Sequence, residues 1–368
     1  RVSLILFNNK DVEIRLDLTK GRMSKKINEI DKSVDDHELE LELNKYGKIS
    51  DNKYLEYFYK ELFNTICVLE KSKYLIKKTE SKNILNYYNN LFSLNLENSK
   101  FMGRNPRSLE IQHVIDILPN NYTVTDKADG LRKFLSIFDN RVYLISTNLD
   151  ITYTGIELSK KLSKYNNTIL DGEYIYLKKH DRYIFMVFDC LYKSNQQIIE
   201  EDSFFQRLKY SEEVIDNCFI FGKQKGNKFK YYKSNYDENK ISKFYKNELI
   251  NYFTNLNNDI IIEKDKLLVR RKFFMPILGA HDSEIFKVSN ILYDSCTLDK
   301  NIDMPYQIDG LIFHPINQKY SFTQRDSKFI EYKFKPPTQN SIDFYIKFKK
   351  DKENNILKVY DNSNEDEL

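Results

Sequence analysis

The sequence predicts an α+β protein in which antiparallel sheets and helices are mixed. Short alternating or apolar runs typical of strands recur along most of the chain, and amphipathic stretches with apolar residues three or four positions apart separate some of them. A doubly wound parallel sheet would alternate strand and helix in regular order, and this sequence does not. The 368 residues exceed what one hydrophobic core usually organises, so more than one domain is expected.

Composition excludes several classes of protein. Hydrophobic residues make up 41% of the chain and charged residues 30%, which is typical of a soluble globular protein. No apolar run approaches the roughly 18–20 residues of a membrane span, and no basic-then-apolar leader is seen, so a membrane or secreted protein is not expected. The four cysteines lie far apart, which argues against a zinc site. The net charge of +4 is too small to indicate a nucleic-acid binder by itself.

The first part of the chain reads as a sheet. Strands are predicted over residues 2–7, 12–18 and 37–43. The third strand reads His-Glu-Leu-Glu-Leu-Glu-Leu, so alternation places Glu38, Glu40 and Glu42 on one face and leucines on the other. Three aligned carboxylates repel one another unless cations lie among them. They are therefore candidate metal ligands, with a solvated outer sheet face as the alternative.

Two helices and a change of pattern follow. The helices are predicted over 51–76 and 84–92, and the mostly polar stretch 97–107 is the best candidate linker. Beyond it, helices are predicted over 109–118, 156–164 and 203–213. Strands are predicted over 122–127, 132–138, 142–146, 168–177, 183–189, 260–264, 266–274, 307–313, 329–334 and 342–348.

The strongest chemical pattern begins with Lys127-Ala128-Asp129-Gly130-Leu131-Arg132, where a predicted strand meets a turn. Four further motifs follow in order: Asp171-Gly172-Glu173-Tyr174, Phe185-Met186-Val187-Phe188-Asp189, Asp309-Gly310-Leu311-Ile312-Phe313 and Tyr332-Lys333-Phe334-Lys335-Pro336. Singly, each is an ordinary turn, core segment or charged strand. Together they resemble the ordered motifs of the covalent nucleotidyltransferases, the superfamily of polynucleotide ligases and mRNA capping guanylyltransferases. In detail they look most like the capping enzymes of large cytoplasmic DNA viruses and of yeast cytoplasmic linear plasmids.

The resemblance implies a role for each matching residue. Lys127 is implied to be the nucleophile that carries GMP, with GTP as substrate, Mg²⁺ or Mn²⁺ as cofactor and Asp309 as a metal ligand. The implied nucleotide-binding residues are Asp129, Gly130, Arg132, Glu173, Phe188, Lys333 and Lys335.

These residue types suit that chemistry. A lysine amine attacks a phosphorus atom only after losing a proton, and its ordinary pKa of about 10.4 must be lowered by burial or nearby cations. Alternation puts Lys333 and Lys335 on one strand face, where two cations can also neutralise an α-phosphate. Phe188 offers an aromatic face to a purine, and Glu173 and Asp309 offer carboxylates to ribose hydroxyls or a metal.

The five motifs also favour a functional interpretation of the glutamate strand predicted over residues 37–43. His-Glu-Leu-Glu-Leu-Glu resembles the last glutamate strand of the metal-dependent RNA triphosphatase tunnel, with Glu13, Arg15 and Asp17 turned inward from a facing strand. The glutamate pair that this family carries on an earlier strand is not found before Glu13. The implied domains are part of a triphosphatase-like β-tunnel with helices (1–95), a nucleotidyltransferase domain (96–337) and the incomplete start of an OB-fold (338–368).

Partners and alternatives complete the expectations. The resemblance implies the 5′ end of nascent mRNA as partner, with a cap methyltransferase and an RNA polymerase as further ones, in the cytoplasm and without a membrane. An ATP-dependent polynucleotide ligase and a non-catalytic RNA-binding module remain the alternatives. Residues 223–246, rich in lysine and aromatic residues, read equally as a contact for single-stranded RNA or as an exposed insertion. The histidines, His314 among them, show no metal-binding arrangement and are expected to be structural.

Overall fold

Three sheets and six α-helices form the part of the chain that the structure describes. This computed structural model describes residues 1–22, 24, 35–47, 53–70, 72–116, 121–220, 230–232, 237–262, 266–277, 281, 283–322 and 330–336. None of the helices in these ranges combines the length and the apolar character that a membrane span requires. The sheets are mostly antiparallel, which confirms the predicted α+β class. The strand predicted over 342–348, and with it the start of the predicted OB-fold, lies outside the described residues.

The N-terminal sheet contains the three predicted strands. They are β1 (Val2–Asn8), β2 (Val12–Arg22) and β3 (Asp35–Lys45), antiparallel and in that spatial order. In the register of β2 and β3, Asp17 lies opposite Glu40 and Arg15 opposite Glu42, so these side chains share a face. Helix α1 (Lys53–Leu69) packs against β2, near the end where Val12 is buried. Little else covers this sheet in the described part of the chain.

Helix α2 (Lys78–Leu91) packs against the sheet that follows it in the chain. Its apolar residues Ile84 and Tyr88 are fully buried in one cluster with Phe134 and Tyr143. The hydroxyl of Tyr88 donates to the carbonyl of Lys100 and accepts from the backbone amide of Met102, which fixes the connecting segment. The helix therefore shares its core with residues on the other side of the limit predicted between residues 95 and 96; the domain limits themselves stay predictions.

The remaining elements build two sheets that enclose the centre of the molecule. They are β4 (Arg107–Ser108), α3 (Ile111–Asp116), β5 (Tyr122–Ala128), β6 (Leu131–Phe138), β7 (Arg141–Ser146), β8 (Ile151–Glu157), β9 (Thr168–Leu177), β10 (Arg182–Lys193), β11 (Gln196–Gln197), α4 (Phe204–Cys218), α5 (Glu238–Ile262), β12 (Leu268–Arg271), β13 (Met275–Ile277), α6 (Glu284–Thr297), β14 (Ile308–Pro315) and β15 (Tyr332–Phe334). A seven-stranded sheet runs β11-β10-β9-β6-β7-β8, with β12 parallel to β10. A five-stranded sheet runs β13-β5-β14-β15-β4.

Two predicted elements are wrong. Residues 260–262 of the strand predicted over 260–264 are the end of α5, and residues 263 and 264 lie outside the described residues. Ile260 continues a buried series of Leu249, Phe253 and Leu256 whose spacing of three or four residues is helical. The helix predicted over 156–164 is instead the end of β8 followed by a 3-10 helix, Lys160–Tyr165. In both places pairing and packing partners override the local preference. Helices α5 and α6 were not expected from the sequence.

The lysine-rich stretch 223–246 is partly a core element. Its last residues form the start of α5, where Ile241 and Tyr245 are buried and Phe244 packs against the same core. Tyr245 therefore presents no free ring face to an RNA base. Residues 221–229 and 233–236 lie outside the described residues, so RNA binding by the stretch stays untested.

Candidate active site

A cavity lies between the two central sheets. It is lined by Pro106, Thr125, Lys127, Arg132, Glu173, Phe188, Lys272, Phe274, Ile312, His314 and Glu331. The five-stranded sheet forms its floor: Thr125 on β5 lies opposite Ile312 on β14, which lies opposite Lys333 on β15. Directly opposed residues of antiparallel strands share a face, so Lys333 is on the cavity side of the sheet. Strands from distant parts of the chain thus bring the predicted motifs to one place.

A bulge in β14 turns Asp309 toward this cavity. The register of β14 against β5 shifts by one residue between Ile308 and Leu311. The extra residue reverses the alternation of the strand and brings Asp309 to the cavity side. Gly310 has a φ of 136°, and a Cβ at this position would collide with the backbone carbonyl of Phe334. The Asp-Gly pair is therefore a requirement of the backbone as well as of the chemistry.

Lys127, Asp309 and Lys335 form an ion triad at one end of the cavity. One carboxylate oxygen of Asp309 accepts from Nζ of Lys127 at 2.5 Å and pairs with Nζ of Lys335 at 2.8 Å. Burial by itself would raise the pKa of Asp309, but the hydrogen bonds from the two ammonium groups lower it below its ordinary value. The carboxylate is therefore ionised, and its hydrogen bond holds the amine of the predicted nucleophile in position.

Glu173 belongs to a second, more deeply buried set of charges. Nζ of Lys272 lies 3.4 Å from a carboxylate oxygen of Glu173 and 3.2 Å from one of Asp126, and it donates to the backbone carbonyl of Asp126 at 2.7 Å. Burial would lower the pKa of Lys272, but the two carboxylates outweigh it and raise the pKa. Lys272 was missed by sequence reasoning. Its only signal in the sequence is the basic run Arg270-Arg271-Lys272 directly after three apolar residues, Leu267-Leu268-Val269.

Phe188 reaches the cavity through another bulge. On β10, Val187 lies opposite Gly172 and Asp189 opposite Asp171, which leaves Phe188 as the extra residue. Its ring lies 5.3 Å from the guanidinium carbon of Arg132, within the range of a cation–π contact. Phe188 is thus turned out of the regular alternation of its strand and into the cavity.

Arg132 is held in place by a fork of hydrogen bonds. Its Nε and a terminal nitrogen donate to the two carboxylate oxygens of Asp171, at 3.1 and 2.6 Å. The hydroxyl of Tyr320 donates to Asp171 at 2.6 Å. Burial would lower the pKa of Arg132, but Asp171 raises it, so the guanidinium is a fixed cation. Tyr320 lies outside every motif that the sequence suggested.

A buried charge network supports the far end of the cavity. Arg207 and Asp189, both fully buried, make two hydrogen bonds of 2.8 and 3.0 Å. Arg104 donates to the same carboxylate at 2.9 Å and lies 3.0 Å from Nε2 of His314. Burial, followed by the positive charge of Arg104, lowers the pKa of His314 to about 4, so the ring is neutral near pH 7. His314 lines the cavity, and Arg104 comes from the predicted linker.

The two remaining residues of the first motif lie at its turn. Gly130 leaves no room for a side chain, because a Cβ there would lie 2.7 Å from Cγ of Glu173. Asp129 is exposed and its backbone amide donates to the carbonyl of Gln307 at 3.0 Å; it is not among the residues that line the cavity. The structure therefore brings most of the predicted nucleotide-binding residues to one cavity, and their roles stay predictions.

The predicted N-terminal metal ligands gather differently from the expectation. Oxygen atoms of Asp17, Glu40 and Glu42 lie within 4.8 Å of one another, a grouping that could hold a metal ion. Glu38 is not in this group, because the register places it opposite Thr19. One carboxylate oxygen of Asp17 is buried without a hydrogen-bond partner.

Two arginines occupy the same face. Arg15 pairs with Asp17 at 3.1 Å and with Glu42 at 2.5 Å, and Arg1 also pairs with Asp17. A hydrogen bond from Arg1 is the main cause that lowers the pKa of Asp17 to about 2. Asp17 is therefore ionised, and arginine side chains of this chain at least partly neutralise its charge.

Comparison with known proteins places these observations in a family. The profile of the family described as "mRNA capping enzyme, catalytic domain" matches residues 70–288, more than half of the chain. The chain belongs to this family. It is 35% identical to the "Probable mRNA-capping enzyme" of Acanthamoeba polyphaga mimivirus, over 95% of this chain and 29% of that protein. It is 26% identical to the "mRNA-capping enzyme" of Danio rerio, over 69% of this chain and 36% of that protein.

These matches confirm the resemblance that the ordered motifs predicted. The chain spans about a third of the length of the capping enzymes to which it is similar. Among solved structures it is similar to a mycobacterial DNA ligase D complexed with ATP and MES, with a TM-score of 0.37 and 14% identity over 66% of this chain and 62% of that one. The ligase domain of LigD from M. tuberculosis gives a TM-score of 0.32 and 12% identity over 62% and 57%.

Proposed function

We propose that this capping-enzyme catalytic domain is a GTP:RNA guanylyltransferase that transfers GMP through Lys127. The observation that carries the proposal is the ion triad. Nζ of Lys127 lies inside a cavity, 2.5 Å from the ionised carboxylate of Asp309, and Lys335 adds a second cation at the same carboxylate. An amine held at one point by a carboxylate, with a second cation beside it to neutralise phosphate charge, suits an attack on a phosphate ester.

The reaction has two displacements at one phosphorus atom. First, the ammonium group of Lys127 gives up a proton to water, and its nitrogen lone pair attacks the α-phosphorus of GTP while Asp309 holds the side chain in position. A nitrogen–phosphorus bond forms, the bond to the bridging oxygen breaks, pyrophosphate leaves with that electron pair, and the second proton on nitrogen passes to water. Next, the terminal phosphate oxygen of an RNA 5′-diphosphate attacks the same phosphorus. The nitrogen–phosphorus bond breaks and the amine regains its electron pair and a proton.

The other cavity residues are proposed to hold the nucleotide. Lys333 and Lys335 bind the α-phosphate, because both lie on the cavity side of β15 or directly after it. Arg132 and Glu173 bind the ribose, and Phe188 stacks on the base. The fixed fork between Arg132 and Asp171 supports this assignment, since a pre-positioned donor loses little freedom on binding. Gly130 lets the chain turn at Lys127, and Asp129 is proposed to act at the mouth of the cavity.

The charges around Asp309 do not suit a divalent cation in the arrangement described. Its carboxylate faces two ammonium groups, and these repel a metal ion unless one lysine moves away. No step of the proposed reaction is therefore assigned to a metal at this carboxylate. The prediction that Mg²⁺ or Mn²⁺ supports the reaction is tested by omitting the ion from the assay below.

Covalent labelling tests the proposal. The chain is incubated with GTP labelled at the α-phosphate, with and without Mg²⁺ or Mn²⁺, and separated by denaturing electrophoresis. We expect an acid-labile label on the wild type, because a nitrogen–phosphorus bond survives denaturation and breaks in acid. Lys127→Ala should carry none, because the proposed nucleophile is absent. Lys178→Ala, at an exposed lysine, is the matched control and should label normally. A label that persists in Lys127→Ala would refute the assigned nucleophile.

A nucleotide panel separates the alternatives. An ATP-dependent ligase uses the same lysine chemistry, and it predicts labelling by ATP and not by GTP. A non-catalytic RNA-binding module predicts no label with either nucleotide, together with binding of RNA whose 5′ end carries two or three phosphates. Labelling by GTP alone excludes both.

A second candidate function concerns the N-terminal sheet: we propose a metal-dependent RNA 5′-triphosphatase region. The specific observation is the group of Asp17, Glu40 and Glu42, whose oxygens lie within 4.8 Å, together with the unpartnered buried oxygen of Asp17. Carboxylate oxygens are the ligands that Mg²⁺ and Mn²⁺ prefer, so these residues would fit such an ion once Arg1 and Arg15, which pair with them, move away. The bound ion would supply charge neutralisation for a triphosphate.

The register of β3 provides a matched pair of variants for this candidate. Glu40→Gln removes a member of the group, whereas Glu38→Gln changes a glutamate of the same strand face outside it. We expect Mn²⁺ binding, followed by electron paramagnetic resonance, to weaken in Glu40→Gln and to stay unchanged in Glu38→Gln. Release of phosphate from 5′-triphosphate RNA should follow the same order. Equal effects of the two variants would contradict the assignment of Asp17, and not Glu38, to the metal-binding group.

A further inference from the structure

Glu331 lies at the opposite end of the cavity from the ion triad. It directly precedes β15. Phe313 pairs with Tyr332, so the next position of the antiparallel register places Glu331 beside His314. Lys335 lies four positions further along the chain, a distance of roughly 13 Å when the chain is extended. That span is comparable to the reach of a nucleoside monophosphate from its phosphate to the far edge of its base. Glu331 is therefore placed where the base of a nucleotide bound at the triad would end.

The carboxylate of Glu331 is buried but weakly bonded. Its side chain is 10% exposed and lines the cavity. Its nearest polar neighbours are Nδ1 of His314 at 3.4 Å and Nε of Arg104 at 3.6 Å, both longer than an ordinary hydrogen bond. Nε of Arg104 is itself buried without a hydrogen-bond partner. Buried carboxylates normally accept several short hydrogen bonds, so Glu331 has acceptor capacity left over.

Glu331 also carries a charge. Burial by itself would raise its pKa, but the hydrogen bond from His314 and the charge of Arg104 lower it to about 2. In the surrounding network Arg132 pairs with Asp171, and Asp189 pairs with both Arg207 and Arg104. Arg104 is also the cation nearest to Glu331. The side chain is a permanent acceptor of hydrogen bonds at neutral pH.

Two apolar groups border the cavity between the triad and this carboxylate. Phe188 comes from the seven-stranded sheet and Ile312 from the floor, and both line the cavity. A flat base held between them turns its edge toward the remaining lining groups. Guanine presents two adjacent donors on one edge, N1–H and the N2 amino group, which match the two oxygens of a carboxylate. Adenine presents a lone pair at N1, which a carboxylate repels.

We propose that Glu331 is the specificity-determining residue that reads the donor edge of guanine and so selects GTP over ATP. The proposal rests on the proposed guanylyltransferase function and adds to it the residue that chooses the base. Rejection of adenine comes from leaving a buried charge opposite a lone pair, which discriminates more strongly than a difference in shape.

Rates of covalent labelling with GTP, ITP and ATP test the proposal in the wild type and in Glu331→Gln. ITP keeps N1–H and lacks the N2 amino group. We expect the wild type to use GTP at least about tenfold better than ITP and to use ATP least. In Glu331→Gln the ratio of kcat/KM for GTP to that for ATP should fall by about tenfold or more, through a loss with GTP. Glu200→Gln, at an exposed glutamate, should keep the wild-type ratios.

Other outcomes are equally decisive. A purely structural role of Glu331 lowers labelling by GTP and ATP by the same factor, and an unchanged ratio would overturn the inference while labelling by GTP upheld the proposed function. The wild type provides a test without any substitution: N1-methyl-GTP lacks the central donor, and its use at the rate of GTP would also overturn the inference. A wild-type chain labelled by neither GTP nor ATP overturns the proposed function itself.

Discussion

The cavity and the N-terminal sheet both place carboxylates among cations, yet they do so in different surroundings. In the cavity, a second sheet covers the charged floor, and buried pairs such as Arg207 with Asp189 lie behind it. On the N-terminal sheet, Arg15 and Glu42 remain 33% and 39% exposed, because little in the described chain covers that face. Burial strengthens electrostatic interactions, and water screens them. The same residue types are therefore expected to differ in energetic weight between the two regions.

The largest expected effect is the loss of a buried partner. Arg207→Met removes the cation that holds Asp189 and leaves that carboxylate with Arg104 as its remaining arginine. We expect the free energy of unfolding to fall by about 3–5 kcal/mol, the usual cost of removing one partner of a buried ion pair. Urea denaturation followed by circular dichroism measures it. A loss below about 1 kcal/mol would mean that the buried ion pair stabilises the fold no more than an exposed one does. The contrast between the cavity and the N-terminal sheet would then be wrong.

An intermediate effect is expected from pH, through His314. Its pKa is about 4 in the folded chain and about 6.5 when the chain is unfolded, so the unfolded state binds the proton first. Stability is therefore complete above pH 6.5 and declines as the pH falls toward 4, by about 2 kcal/mol at pH 5. Denaturation at pH 7 and pH 5 measures the decline. His314→Asn should reduce it, and an identical decline in the variant would assign it to other groups.

The smallest effect is expected on the N-terminal sheet. Arg15→Met is the same substitution as Arg207→Met, made where the arginine is partly exposed. Because Arg15 and Glu42 are partly exposed, and Arg1 remains to pair with the buried Asp17, we expect at most a small fall in the melting temperature at physiological salt. Thermal melts at low and high salt provide the measurement. A marked, salt-independent destabilisation would show that this face is covered in solution, for example by further chain or by a partner.

Strand alternation and motif order were accessible from the sequence. The three N-terminal strands and the strand predicted up to Lys127 lie where the pattern placed them. In a half-buried strand, successive side chains alternate between the buried and the exposed face, and this alternation is visible in the sequence. The end of α5 was misread, since Ile260 and its two neighbours favour a strand locally. Its helical form depends on a core built by residues far away in the sequence.

The candidate site divides in the same way. Lys127, Asp309 and Lys335 were accessible because short motifs carry them. Lys272 was not accessible, because a basic residue in a strand pattern gives no sign that it will be buried between two carboxylates. The position of Glu331 in the cavity was also not predictable, because in the sequence it is a single acidic residue before a basic strand.

The sequence by itself determined the family, the order of the chemical motifs and the residue types at the proposed reaction centre, because these are local properties of the chain. The tertiary structure alone decided which charges meet. The register of β2 and β3 replaced Glu38 with Asp17 in the acidic group, a one-residue bulge turned Asp309 to Lys127, and the approach of two sheets buried Glu331 beside the cavity. Pairing register and sheet packing bring together residues that are far apart in the chain, so short-range sequence patterns do not predict these contacts.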